Sequence, residues 1–169
     1  MLLNGPVLMF YALGMFVNGL TLLGLVKRET TWPFHYAIAG VAFLCSFALG
    51  ILNAMGPHTG IVVTLNMIFA LDYLLNGLEI TRGIDAKVHG YFCIFGTVLL
   101  ALMAINFYTL GWLTFTFCAV VWTLLSFMFA SIILFQVQWV KTAGYICLAG
   151  SFVTLFVPAY LMILNKQIP

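Results

Sequence analysis

Residues 112–135 read WLTFTFCAVVWTLLSFMFASIILF and contain no Asp, Glu, Lys, Arg or His. A membrane-spanning helix needs about 20 predominantly apolar residues, because backbone polar groups in hydrocarbon must be hydrogen-bonded within the segment itself. This stretch meets that requirement alone, and five others resemble it: 3–26, 33–54, 61–80, 90–108 and 142–164. The whole chain of 169 residues is 64% hydrophobic and 6% charged, with a mean hydropathy of +1.17. A soluble domain carries about 25% charged residues, so composition excludes a water-soluble globular protein. The expectation is an all-α integral membrane protein with six transmembrane helices forming a single domain over 1–169.

The gaps carry turn residues and most of the charge. They read Lys27-Arg28-Glu29-Thr30-Thr31, Gly56-Pro57-His58-Thr59-Gly60, residues 82–89, Thr109-Leu110-Gly111 and residues 136–141, and none has the length of a soluble domain. Lys and Arg are retained on the cytoplasmic side. Lys27 and Arg28 lie in the first loop, Arg82 and Lys87 in the third and Lys141 in the fifth, while the second and fourth loops carry neither. Loops one, three and five are therefore expected inside and both termini outside, with Lys166 the one dissenting charge. Trp32, Trp112 and Trp139 fall at span ends, where an amphipathic ring suits the interface. The first span has no basic leader and no small-residue cleavage site, so it reads as a retained helix rather than a signal peptide. The net charge of +2 comes almost wholly from the loops and speaks to topology rather than to nucleic acid.

Within the spans, polar residues carry the functional information, because a charged side chain at the centre of a bilayer costs about 2.5–3.5 kcal/mol or more unless it meets a partner or water. Asp72, Asn76, Glu79 and Gly83 recur at spacings of four, three and four, which lays one polar stripe along the third helix. That stripe is either a pore-lining or relay face, or a structural feature in which Glu79 pairs with Arg82 three residues on and Asp72 is a hydrogen-bonded carboxyl. Asn18 sits at a depth similar to Asp72, which suggests contact between helices one and three, with Gly14 and Gly19 allowing close approach. In the fifth helix Phe115, Cys118, Trp122, Ser126 and Phe129 share a face, and Trp122 near mid-membrane is either packed core or one wall of an aromatic constriction. Pro158 should bend the sixth span unless Thr154 or a neighbour satisfies the freed carbonyl. The two three-span halves would run in opposite senses, as an inverted repeat requires, without evident internal identity.

Cys45, Cys93, Cys118 and Cys147 all fall inside spans without paired spacing, and they read as small apolar packing residues rather than disulfide or metal partners. His35, His58 and His89 are scattered near helix ends and offer no metal site by spacing. No phosphate-binding loop, zinc motif or nucleophile elbow occurs, so no cofactor, metal or catalytic residue is expected.

The stretch Gly83-Ile-Asp85-Ala-Lys87-Val-His-Gly90-Tyr-Phe92-Cys-Ile-Phe95, following Tyr73-Leu74 in an aromatic-rich third helix, resembles the corresponding loop and fourth-helix start of the bacterial urea/amide channel family. Asn18-Gly19, Gly40, Trp122 and Val157-Pro158-Ala159-Tyr160-Leu161 extend the resemblance over the entire chain. It implies a passive channel in the bacterial cytoplasmic membrane, a homohexamer that conducts urea or a short-chain amide between the helices of each protomer. It also implies pore-wall roles for Leu71 and Leu75 in the third helix and Trp122, Leu125 and Ser126 in the fifth, with Met15 a looser match in the first. Two departures stand out. Ser126 replaces the second Trp of the family's Trp-x-x-x-Trp pair, and Gly150-Ser151 replaces a Glu-Gly pair in helix six, which should reshape the constriction and bears on urea against a bulkier amide. Glu79, which aligns with a family Asn, would then be the candidate to supply a carboxylate.

Besides that channel, two readings stand open: a secondary transporter that uses Asp72 or Glu79 as a proton carrier, and a membrane enzyme or assembly scaffold. The last is disfavoured because no His, Glu and Cys constellation is expected at one depth, and no soluble head is present for a partner to grip. Membrane lipid and the small amide itself are the expected partners.

Overall fold

The computed structural model describes residues 4–53 and 56–164. Six segments are long and apolar enough to cross a membrane. They are α1 (Asn4–Leu22), α2 (Trp32–Leu52), α3 (Thr59–Arg82), α4 (Ala86–Thr109), α5 (Leu113–Phe135), and a last span made of α6 (Val140–Gly150), a π-helical turn (Ser151–Phe156) and α7 (Val157–Ile163). The expected span over 3–26 ends four residues early, and α3 and α4 each gain residues at their loop ends. Leu3, Ala54 and Lys166, which entered the expected span ends and charge pattern, lie outside the described residues.

Local sequence explains where the helices stop. Gly83 adopts the left-handed conformation (φ 61°) that closes α3, a position any side chain would strain. Two residues later Asp85 caps α4, accepting a hydrogen bond from the Lys87 backbone N–H at 2.9 Å. This short cap-to-cap connection packs the start of α4 beside the end of α3. Just before Pro158, where a bend is expected, the last span adopts a π turn in which the Val157 N–H bonds to the Phe152 carbonyl, five residues back. The Thr154 hydroxyl donates to the Gly150 carbonyl within that turn.

Helices α2 and α3 form one closely packed hairpin and α4 and α5 another, while α1 lies against α6, the π turn and α7. Gly14 makes one approach possible: a Cβ there would sit 2.5 Å from the Tyr73 ring. Gly19 faces Leu148 and the Gly144 carbonyl in the same manner. Tyr11, Ile38, Leu49, Phe107 and Leu155 fill the interior, whereas Leu44, Phe47, Ile51, Phe95, Ile105 and Phe135 point outward. A broad apolar exterior of that kind matches a hydrocarbon surround rather than water.

Candidate functional site

Two cavities lie in series inside the bundle. The wider, about 330 Å³, opens toward the first loop and is lined by Arg28 and Thr31 of that end, by Asn18, His35, Asn76, Glu79 and His89, and by apolar residues of α5. The narrower, about 60 Å³, lies deeper and is lined by Tyr11, Met15, Phe69, Asp72, Tyr73, Phe92, Gly96, Trp122, Leu125 and Ser126 among others. Asn18 and Phe129 border both, so the two cavities adjoin. The inner space is the smaller of the two and is walled mainly by aromatic and aliphatic side chains, which offer few groups to replace the waters of a hydrated ion.

The walls of the narrow cavity are fixed aromatic rings. Phe69 meets Trp122 edge to face at 5.0 Å and lies tilted against Tyr11 at 5.1 Å, and Tyr11 stacks on Tyr73 at 5.9 Å. Each polar tip is tied down. The Tyr11 hydroxyl donates to the Asn66 carbonyl (2.7 Å), the Tyr73 hydroxyl to the Tyr11 carbonyl (3.2 Å), and the Trp122 indole N–H to Thr154 Oγ1 (2.9 Å). These hydrogen bonds hold the Tyr11, Tyr73 and Trp122 ring planes in place.

The opposite side is charged. His89 Nε2 donates to Asp72 Oδ1 at 2.9 Å, His89 Nδ1 lies 3.4 Å from Glu79 Oε2, and the other oxygen of Glu79 pairs with the Arg28 guanidinium. Glu79 is thus held by Arg28 from the first loop, not by Arg82 as the i, i+3 spacing suggests. Arg82 is exposed at the end of α3, while Arg28 reaches in over the vestibule. Asp72 takes His89 as its partner rather than Asn18, although both Asp72 and Asn18 border the narrow cavity. Asn76 donates to the Asp72 backbone carbonyl. His35 stacks on Tyr73 at 5.8 Å. Since Thr31 donates its hydroxyl proton to the Arg28 carbonyl, it accepts from His35 Nε2 (3.2 Å), which leaves the buried His35 Nδ1 without a protein partner.

Of the residues singled out by sequence, Met15, Asn18, Asp72, Trp122, Leu125 and Ser126 border the narrow cavity, and Asn76 and Glu79 the vestibule. Leu71 and Leu75 border neither among the described cavities, and Leu71 is 40% exposed. The faces of α3 turned inward carry Ile68, Phe69, Asp72 and Tyr73 instead. One residue along a helix is a rotation of about 100°, which sets Leu71 well around α3 from Asp72, whereas Leu75 keeps roughly the face of Ile68 and Asp72 one turn further along. Ser126 donates to the Cys93 carbonyl at 2.9 Å, and Gly96 lies opposite it, so this wall is short where a second indole would project.

His89 is the residue that sequence reasoning passed over. The expectation that no His, Glu and Cys group shares one depth is overturned: His89, Cys93, Asp72 and Glu79 converge between α3 and α4. The signal was present. Two carboxylates seven residues apart on one helix face need a donor opposite, and His89 stands just after the Asp85 cap of the helix that follows. His58, by contrast, sits at the other end of the bundle, edge-on to Trp112 at 5.0 Å.

Six helices long and apolar enough to cross a membrane, packed around two adjoining internal cavities, define a polytopic membrane protein. Residues 3–166 match the AmiS/UreI family transporter description, and the chain belongs to that family. Its fold is similar to that of the urea channel of Helicobacter pylori. The crystal structure of that channel gives a TM-score of 0.85 at 17% identity, covering 97% of this chain and 99% of that one. A cryo-EM structure of the same channel in a closed state gives 0.77 at 16% identity, with the same coverage. No curated protein matches the chain by sequence.

Proposed function

We propose that the chain is a passive channel, not an enzyme, for urea or a short-chain amide, with the complete path inside each protomer of a homohexamer. The observation that carries this reading is the ring-walled slot of about 60 Å³, which adjoins a polar vestibule of about 330 Å³. Urea and acetamide are small, flat and neutral, and can exchange hydration for a few fixed polar groups. Asn18 and the Asp72 carboxylate offer those groups at the mouth of the slot, and Phe69 and Trp122 its flat walls. Met15, Leu125 and Ser126 complete it; the short Ser126–Gly96 wall favours a solute that carries an alkyl group, such as acetamide, over urea alone.

The Lys/Arg asymmetry supports placing the vestibule on the cytoplasmic side and both termini outside, in a bacterial inner membrane. The short second loop supports a channel that is not gated by external acid. Stopped-flow light scattering on proteoliposomes, comparing urea, acetamide and glycerol, tests the proposal. A second reading, a proton-coupled amide transporter, draws on the buried chain Asp72–His89–Glu79, whose groups can exchange protons. Accumulation of acetamide driven by a proton gradient would select it.

A further inference from the structure

We propose that Asp72, His89 and Cys93 form a binding site for a thiophilic divalent cation such as Zn²⁺ or Cd²⁺, and that the bound ion closes the path between the vestibule and the slot. Each residue offers one ligand atom, and these atoms all lie within 4.8 Å of one another. His89 and Cys93, four residues apart on α4, share a helix face, and Asp72 approaches from α3. Zinc bonds of about 2.0–2.3 Å in a tetrahedron set donors roughly 3.3–3.8 Å apart, so closure needs side-chain adjustments of only about an ångström.

The surroundings suit a metal rather than only an ion pair. His89 turns Nε2 toward Asp72 and Nδ1 toward Glu79, which Arg28 holds in place. A metal-bound imidazole characteristically gives its second N–H to a carboxylate in this way, which fixes its tautomer. One thiolate and one carboxylate neutralise a divalent ion, and a thiolate with an imidazole selects zinc or cadmium over magnesium or calcium. Three protein ligands leave a fourth position for water. Binding displaces the Cys93 thiol proton, together with the proton that His89 Nε2 shares with Asp72, into solvent, so affinity falls on acidification.

Position gives the site its consequence. Asp72 borders the slot and His89 the vestibule, so an ion held by both, with Cys93 behind them, would sit in the wall where the two cavities adjoin and draw these side chains across it. Binding is independent of what the chain conducts; closure rests on the path proposed above.

The experiment titrates purified, detergent-solubilised full-length protein with Cd²⁺ and follows the ultraviolet thiolate-to-cadmium absorption. One ion per protomer is expected. Cys93→Ser should abolish the band, His89→Gln and the shape-conserving Asp72→Asn should each weaken binding by about 10–100-fold, and Cys118→Ser and Cys147→Ser should retain it. In proteoliposomes, Cd²⁺ should lower acetamide flux at least tenfold, reversibly with EDTA, measured against each variant's own metal-free flux. A conducting wild type without the band, or a band that survives Cys93→Ser, overturns the site. A Cys93-dependent band without inhibition upholds the site and overturns closure.

Discussion

Trp122 donates its indole N–H to Thr154 at 2.9 Å, which fixes the largest wall of the slot to the π turn of the last span. Thr154 in turn donates to the Gly150 carbonyl, so the indole is anchored to backbone through one hydroxyl. Thr154→Val keeps the shape and removes the acceptor, leaving a buried N–H unsatisfied at a cost of about 1–3 kcal/mol. The expected outcome is a lower melting temperature in detergent and a weakened preference for acetamide over glycerol. Trp122→Ala, which removes the wall itself, should reduce that preference further, by tenfold or more, in a protein that still assembles. Unchanged selectivity in both variants would make Trp122 ordinary core.

Glu79→Gln preserves size and hydrogen bonding but removes the charge that Arg28 and His89 both face. Acetamide flux should shift severalfold, because the vestibule then carries an excess of positive charge, and no dependence on a proton gradient should appear or disappear. Gradient-driven accumulation by the wild type, lost in Glu79→Gln, would establish coupled transport instead.

Flux should not depend strongly on external pH. The second loop offers His58 without an acidic neighbour in the sequence, and Thr109-Leu110-Gly111 offers nothing titratable. Histidine ordinarily titrates near pH 6.5, so permeability at external pH of about 5 and about 7.5 brackets it and should agree within about twofold. His58 packs edge-on against Trp112, which stacks on Phe107. A tenfold change removed by His58→Ala would show that the short loop gates.

Topology is open to cysteine labelling. Pro57 and Asp85 are exposed, whereas Thr59 is buried and a poorer probe. Pro57→Cys should react with a membrane-impermeant maleimide from outside and Asp85→Cys only from inside. The reverse pattern would invert the vestibule and refute the orientation drawn from the charges.

How much of this the sequence disclosed follows from its chemistry. Spans were legible because hydrocarbon demands length and apolarity, and an irregularity near Pro158 because a missing N–H interrupts the α-helical ladder. The Asp72–Asn76–Glu79 stripe stood out against an apolar background. Ring placement did not. Helices that are apolar all round carry no inward-facing stripe, so Phe69 and Tyr73 could not be told from Leu71 and Leu75 without the packing of α3 against α1 and α4. The partner of Glu79 was hidden for a related reason: sequence offers Arg82 one turn away, while Arg28 arrives through tertiary folding.

The central claim is that the ring-walled slot passes small planar amides and refuses bulkier or charged solutes. Stopped-flow light scattering on proteoliposomes of the purified protein tests it directly, with urea, acetamide and glycerol as solutes and empty liposomes as the reference. Flux should be linear and non-saturating for acetamide and urea, at least tenfold above the reference, with acetamide equal to or faster than urea and glycerol near the reference. Equal permeability to all three, or saturable acetamide uptake that requires a proton gradient, would contradict it.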